Sequence, residues 1–394
     1  MNTKNKSIIY IVVAILIILL GLLIFSNSTV IKSVDNYLDD NYKTTDFNKE
    51  GISSALRLID DIDKYNIFFT GEFHRISGNE AVNLEMLKYL NKVEDVNYLI
   101  CEMQYSIICK LNKYIQNGDE KLLKDTVNIV RQRSDQRSAQ YVGDDYYKFW
   151  QGLYEFNKGL PKDKKIQAYG IDMDFIGDYT LSEMANLIPH NEPPTEIASK
   201  VNKFKGIISG EISDEKEAIT ILKDLSDDYN TNTQVYKSFF GDNFNDFKNN
   251  LSSMINTGKY AETQDSNRDE LIYDNFMRIY NQNQKGKYYG QFGAAHIFRE
   301  DIISNGKTFY TLAKMIEKND GFKVLSIPIV PSDRMKLITQ GEKLAKGRFS
   351  IFKLNGKGSP YKQQNENIFT SNGLGIVNGT TVDNYQYVVY LKSK

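Results

Sequence analysis

Between Ile8 and Phe25 no position is charged and nearly every side chain is apolar. Such a run is long enough to cross a hydrocarbon core of roughly 30 Å as a single helix. Lys4 and Lys6 precede it, and Lys32 is the first charge after it. A basic N-terminal flank keeps that side cytoplasmic and sends the rest of the chain outward. A cleaved signal peptide would have a shorter apolar region ending in small residues. Ile24, Phe25, Ser26, Asn27 and Ser28 make a poor cleavage site, and no cysteine follows for lipid attachment. The pattern therefore predicts an uncleaved anchor within residues 1–28. Residues 8–25 would lie in the cell membrane, single-pass, with an extracellular C-terminal domain.

Residues 29–50 are polar and turn-rich and read as a stalk. Beyond them, Ile52, Leu56, Ile59 and Ile62 recur at three- and four-residue steps, the spacing of an amphipathic helix. Asn66–Gly71 is a short apolar run closed by a glycine, the signature of a buried strand. The alternation repeats: a helix through Leu84, Leu87 and Leu90 leads to a strand over Val96–Cys101, and a helix over Phe149, Trp150, Leu153 and Phe156 leads to a strand over Ile166–Ile171. From Leu181 to Tyr280 no strand signal interrupts a polar helical pattern. Strands resume at Tyr288–Phe292 and Phe322–Ile329, and the tail ends in a segment, YQYVVYL, that reads as an edge or added strand. This order predicts an α/β domain over residues 51–394, with a largely parallel central sheet flanked by helices and a helical insertion at about 181–280.

Composition narrows the partners. The chain has 394 residues and a formal net charge of −1, with no long basic run. Nucleic acid is excluded on that ground, because its binding rests on concentrated positive charge. Two cysteines, Cys101 and Cys109, offer no disulfide framework.

The candidate chemistry lies where the apolar strands end. Glu72 and His74 follow the first strand, Glu102 the second, Asp172 and Asp174 the third, and His296 the run YYGQFGAA. In open α/β sheets the ligand crevice forms at the carboxyl ends of the strands, so these groups should share one rim. Only three histidines exist, and two fall there; His190, in a proline-bearing loop, reads as a solvated bystander. Singly, Asp174, Glu80 and Arg299 read as caps or structural ion pairs. Arg268 shares a helix face with Ile272, Phe276 and Ile279. It therefore needs an anionic partner, either a carboxylate such as Glu72 or Glu102 or a substrate group. The aromatic stretch Gly143–Phe156 has the spacing of a core-facing helix.

The run GEFH with Glu80 after it, Glu102 after a strand, FWQGLYEFNKGLPKDKKIQAYGIDMDF, NRDELIYDNF and GAAHIFR together resemble the erythromycin esterase family. That family sits in a wider superfamily with the haem-uptake protein ChaN, the Tiki proteases and the TraB proteins. The similarity runs in order from about Leu58 to Ile329. It implies a hydrolase in which His74 activates water for attack on an ester or lactone of a small-molecule substrate. Glu72, Glu102, Arg268 and His296 would complete the catalytic set, and Arg75, Glu80 and Asp172 would contact substrate. Arg75 stands where the esterases often have glycine, which would alter the mouth of the pocket. Hydrolysis of macrolides is not implied. The superfamily leaves the cofactor open: none, a divalent metal on His74, Glu102 and His296 as in a Tiki-type peptidase, or haem as in ChaN.

Overall fold

A computed structural model describes residues 33–392 of the chain, except residues 48–50, 75, 134–138, 263–266, 284–285, 305, 320, 332–338 and 365–375. The anchor segment Ile8–Phe25 and Arg75 lie outside the described residues. No helix among the described residues is long and apolar enough to cross a membrane.

Eleven described strands form two sheets: β1 (Tyr42–Thr45), β2 (Ile67–Glu72), β3 (Val96–Cys101), β4 (Gln167–Gly170), β5 (Lys287–Gly293), β6 (Ile302–Ser304), β7 (Lys307–Phe309), β8 (Val324–Pro331), β9 (Phe349–Lys353), β10 (Ile376–Val377) and β11 (Tyr387–Leu391). Eight make the main sheet in the order β1-β9-β11-β8-β2-β5-β3-β4, and β10-β6-β7 make a small one. In the main sheet every described pairing from β11 to β4 is parallel, and the β1–β9 and β9–β11 pairs are antiparallel, as are both pairs of the small sheet. The expected α/β fold with a largely parallel sheet is therefore present.

Parallel strands covered on both faces must be apolar on both, and β2 shows how this sequence meets that demand. Phe68 packs into the core on one face, with Leu87, Leu111, Trp150 and Leu153. Ile67 and Phe69 pack on the other, with Ile272, Phe276 and Ile279. The helices behave likewise. In Tyr105–Asn117, Ile107, Ile108, Leu111, Tyr114 and Ile115 are buried along one stripe. Gly118 ends that helix in the left-handed region, donating its N–H to Tyr114 O at 2.8 Å.

Three expectations change. The stalk begins to fold at Ser33: helix Val34–Asp40 buries Tyr37 and Leu38 completely, and β1 forms the edge of the main sheet. The periodic stretch Ile52–Ile62 is not one helix. Ser53–Leu56 makes one turn and tight i→i−3 bonds continue it, yet Ile52, Leu56 and Ile59 are buried as the spacing required. The C-terminal segment is no edge. β11 lies between β8 and β9, and all five of its residues are buried.

The described part of the strand-free stretch consists of helices and short connections. Gly177–Leu187, Thr195–Ser209, Glu215–Thr231, Thr233–Phe240 and Phe244–Glu262 enclose a core of their own around Met184, Val201, Phe204, Leu225, Tyr229 and Phe247. The last helix, Arg268–Gln282, instead packs on the sheet through Ile272, Phe276 and Ile279.

Candidate active site

The register brings the strand ends to one level. Glu72 pairs with Gly293, Cys101 with Gln291, and Cys101 with Gly170 on its other side. The polar residues just beyond therefore converge, and they line a cavity of about 1010 Å³. Glu72, His74, Glu80, Glu102, Asp172 and Arg268 are all in its wall. Six sequence candidates from β2, β3, β4 and two helices thus meet in one place.

His74 is held from one side only. Its Nδ1 is 2.9 Å from Glu72 Oε1, and 60% of its side chain is exposed. Glu72 is itself oriented: its Oε2 accepts from Gln291 Nε2 at 2.7 Å, and Thr70 Oγ1 donates to Gln291 Oε1 at 3.2 Å. The hydrogen bond from Glu72 raises the imidazole pKa above its ordinary value, against the opposing effect of burial. The other ring nitrogen faces Gly293. A Cβ placed there would lie 2.8 Å from His74 Nε2 and 3.5 Å from His296 Cδ2. Gly293 has ordinary dihedrals (φ −51°, ψ 136°), so what the position demands is the close approach of two imidazoles.

Opposite stands a charged network built around Arg268, the first residue of its helix. Asn267 caps that helix by accepting from the Asp269 N–H at 3.2 Å. Arg268 Nε donates to Asp172 Oδ1 at 2.9 Å, and Nη2 donates both to Asp172 Oδ2 and to Glu102 Oε1, the latter at 2.9 Å. Of the two partners anticipated for the arginine, Glu102 is confirmed. Glu72 is not among these contacts, and Asp172 takes the bidentate place. Burial raises the Asp172 pKa, with Arg268 opposing. For Glu102 burial acts upward too, but His296, His74 and Arg268 together hold the carboxyl well below the usual range. Glu102 Oε2 also accepts from the Gly293 N–H at 2.6 Å.

His296 stands behind this wall, in the turn Ala294–Ile297, with 12% of its side chain exposed. Nδ1 is 2.5 Å from Asp269 Oδ1, and Nε2 is 3.2 Å from Glu102 Oε1. Burial alone would lower its pKa, but the two carboxylates outweigh it and push the value up to about 10. His296 is an imidazolium at neutral pH, with both nitrogens engaged. Its Nε2 lies 3.3 Å from Nη1 of Arg268, a residue that lines the cavity.

The remaining candidates sit elsewhere. Asp174 caps a loop, accepting from Ile176 N–H at 3.0 Å and Gln104 Nε2 at 2.9 Å. Arg299 forms a two-pronged ion pair with Glu317 at 2.8 and 2.9 Å, and His190 is exposed. Both cysteines are free, and burial pushes both thiols up; Cys101 lines the cavity.

Five residues have roles at the site that a sequence reading misses. Asp269, beside Arg268, steers His296 and accepts from Leu312 N–H at 2.8 Å. Gln291 carried a signal, being a polar side chain inside a strand buried on both faces. Tyr146, Phe149 and Trp150 face the core from a helix, as expected, and in addition line the cavity. Of the described residues in the stretch 181–280, Arg268 alone reaches that wall.

A metal does not fit these donors. Among the described residues no three His, Cys, Asp or Glu side chains are placed to hold an ion. Both His296 nitrogens face carboxylates, and the Arg268 guanidinium already sits on Glu102. The proposed set of His74, Glu102 and His296 is thus not a ligand cluster.

In sequence the chain matches no protein-family model and no curated protein. In structure it is similar to a protein of Bacillus cereus (TM-score 0.69, 13% identity, 91% of this chain and 96% of that one). It is also similar to a succinoglycan biosynthesis protein (TM-score 0.66, 12% identity, 91% and 96%). A third neighbour is a histidine-to-asparagine mutant of erythromycin esterase EreC in its open conformation (TM-score 0.60, 12% identity, 89% and 97%). The likeness is one of fold: an α/β architecture with a large central sheet, shared over nearly the whole length with an erythromycin esterase among others.

Proposed function

We propose that the cavity is a hydrolytic site for a carboxylic ester or lactone, with His74 as the general base on water. The observation that carries this reading is the asymmetry of His74. Glu72 fixes Nδ1 as the N–H side, which leaves Nε2, beside Gly293, as the basic nitrogen of a side chain that lines the cavity together with Arg268. Nε2 takes a proton from water as the oxygen attacks the carbonyl carbon. The developing oxyanion is stabilised by Arg268 Nη1, and His74 returns the proton to the departing alkoxide. Acid and alcohol are released in one displacement, with no acyl-enzyme. His296 positions Glu102.

The test is hydrolysis of simple aryl esters by the purified full chain in the presence of hydroxylamine. Release of the carboxylic acid without enzyme-dependent hydroxamate supports direct attack by water. Hydroxamate formed beyond the uncatalysed reaction of hydroxylamine with the ester, or a burst of alcohol, would show a covalent intermediate and contradict direct attack by water.

Membrane attachment through residues 8–25, with the domain outside the cell, belongs to the same proposal. It rests on the apolar run and its basic flank. The protein should resist alkaline extraction from membranes, and a C-terminal tag should be reached by antibody on intact cells. Release by alkali would contradict the anchor.

A further inference from the structure

The deep end of the cavity differs from its rim. Leu99, Ile107, Phe149 and Trp150 make it apolar, and Glu80 is set into that wall from the first turn of helix Asn79–Glu94. Its one polar partner in the wall is Asn83, whose Nδ2 lies 3.4 Å from Glu80 Oε2. Asn83 Oδ1 is buried with no partner. The groups facing Glu80 are Glu72 from β2, Cys101 from β3, Tyr289 from β5, and Asp145 and Tyr146 from helix Ala139–Lys158. None of them is a cation. Among the described residues a carboxylate so placed has no counter-charge, and the mechanism above makes no use of the residue.

We infer that Glu80 is a specificity residue that acts as a neutral carboxylic acid. It donates a hydrogen bond to an uncharged oxygen, an ether, carbonyl or hydroxyl, on a bulky apolar part of the ligand lodged against Trp150. This deepens the hydrolase reading by naming the ligand class, a neutral ester whose apolar portion carries an acceptor. Burial and the nearby Glu72 push the Glu80 carboxyl up to about 8, so the acid form dominates at neutral pH. A few placed polar groups in a mostly apolar pocket are how small-molecule sites gain selectivity. A donor left unpaired there disfavours ligands that lack the acceptor.

Trp150 is the only tryptophan in the chain and lines this end, so its fluorescence reports occupancy there without any turnover. The experiment titrates the full chain with 4-methoxytoluene, which carries an ether acceptor, and with its near-isostere 4-ethyltoluene, which carries none, at pH 6.5 and 9.5. At pH 6.5 the methoxy compound should bind about tenfold more tightly, the worth of one good hydrogen bond. Glu80→Leu should erase the preference. Glu80→Gln, still a donor, should keep it at both pH values, whereas the wild type should lose it at pH 9.5. Equal affinities in the wild type at pH 6.5, no change in Trp150 fluorescence with either compound, or a preference that survives Glu80→Leu would overturn the inference. Neither compound contains an ester, so these outcomes are independent of whether the chain hydrolyses one.

Discussion

The Glu102 carboxylate accepts a hydrogen bond from the Gly293 N–H at 2.6 Å, joining the end of β3 to the end of β5 beside it. The same carboxylate holds Arg268 and His296. One acidic side chain therefore fixes the backbone next to His74, the guanidinium opposite and the imidazolium behind.

Gly293 is tested by a single methyl group. Gly293→Ala should fold, since its dihedrals suit any residue, but the new Cβ cannot remain 2.8 Å from His74 Nε2. The exposed imidazole swings away from its bond to Glu72, which is a small movement with a large cost in alignment. Ester hydrolysis should fall about 10²-fold while the melting temperature changes little. Unchanged turnover would show that the position of His74 does not matter.

Arg268 carries both charge and geometry. Arg268→Ala should lower kcat by about 10²- to 10³-fold, as for loss of an oxyanion donor. It should also destabilise the fold by about 3 kcal/mol, because Asp172 is left buried without its cation and Glu102 keeps only His296 as a charged partner in direct contact. Arg268→Lys restores charge but not the two-pronged contact to Asp172, so it should recover stability better than rate. Kinetics and denaturant melts on both variants separate the effects. Equal recovery of the two would contradict a role in turnover.

The pH profile isolates Glu72. A general base works when deprotonated, so a raised His74 pKa places the acid limb of kcat/KM above the ordinary histidine range. Glu72→Gln removes the largest cause of that rise, and the limb should move toward lower pH. A limb that stays in place would assign it to another group.

How much of this could be read from the sequence follows from what each signal reports. Apolar runs bounded by polar residues report strands buried on both faces, so β2, β3, β4, β5 and β8 and the polar groups at their carboxyl ends were legible. β1 and β9 were not. β1 is a half-exposed edge of four residues, and β9 follows a stretch whose pattern is not that of a βαβ unit. Sequence order also made YQYVVYL look terminal in the sheet, when β9 and β1 extend the sheet beyond it. At the site, Asp269 and Gln291 were hidden because each acts through a partner from a distant part of the chain, His296 and Glu72 respectively. The roles of His74 and His296 separate only when their neighbours are known: one has a free nitrogen and the other has none.

That difference also predicts stability against pH. His296 has a folded pKa of about 10, above its ordinary 6.5. Its contribution is therefore complete below about 6.5 and is lost as pH rises through 10. The gap in melting temperature between wild type and His296→Ala should be widest at pH 6 to 7 and narrow steadily toward pH 10. A gap that widens with pH would mean that His296 is buried neutral.

The most direct measurement compares His74→Ala with the wild type on any ester the full chain hydrolyses, with melting temperatures taken on the same preparations. His74 is largely exposed and its described polar bond is to Glu72, so its removal should leave the melting temperature nearly unchanged. Loss of the general base should cut kcat/KM by about 10² to 10⁴. Wild-type turnover in His74→Ala, with the fold intact, would contradict the account.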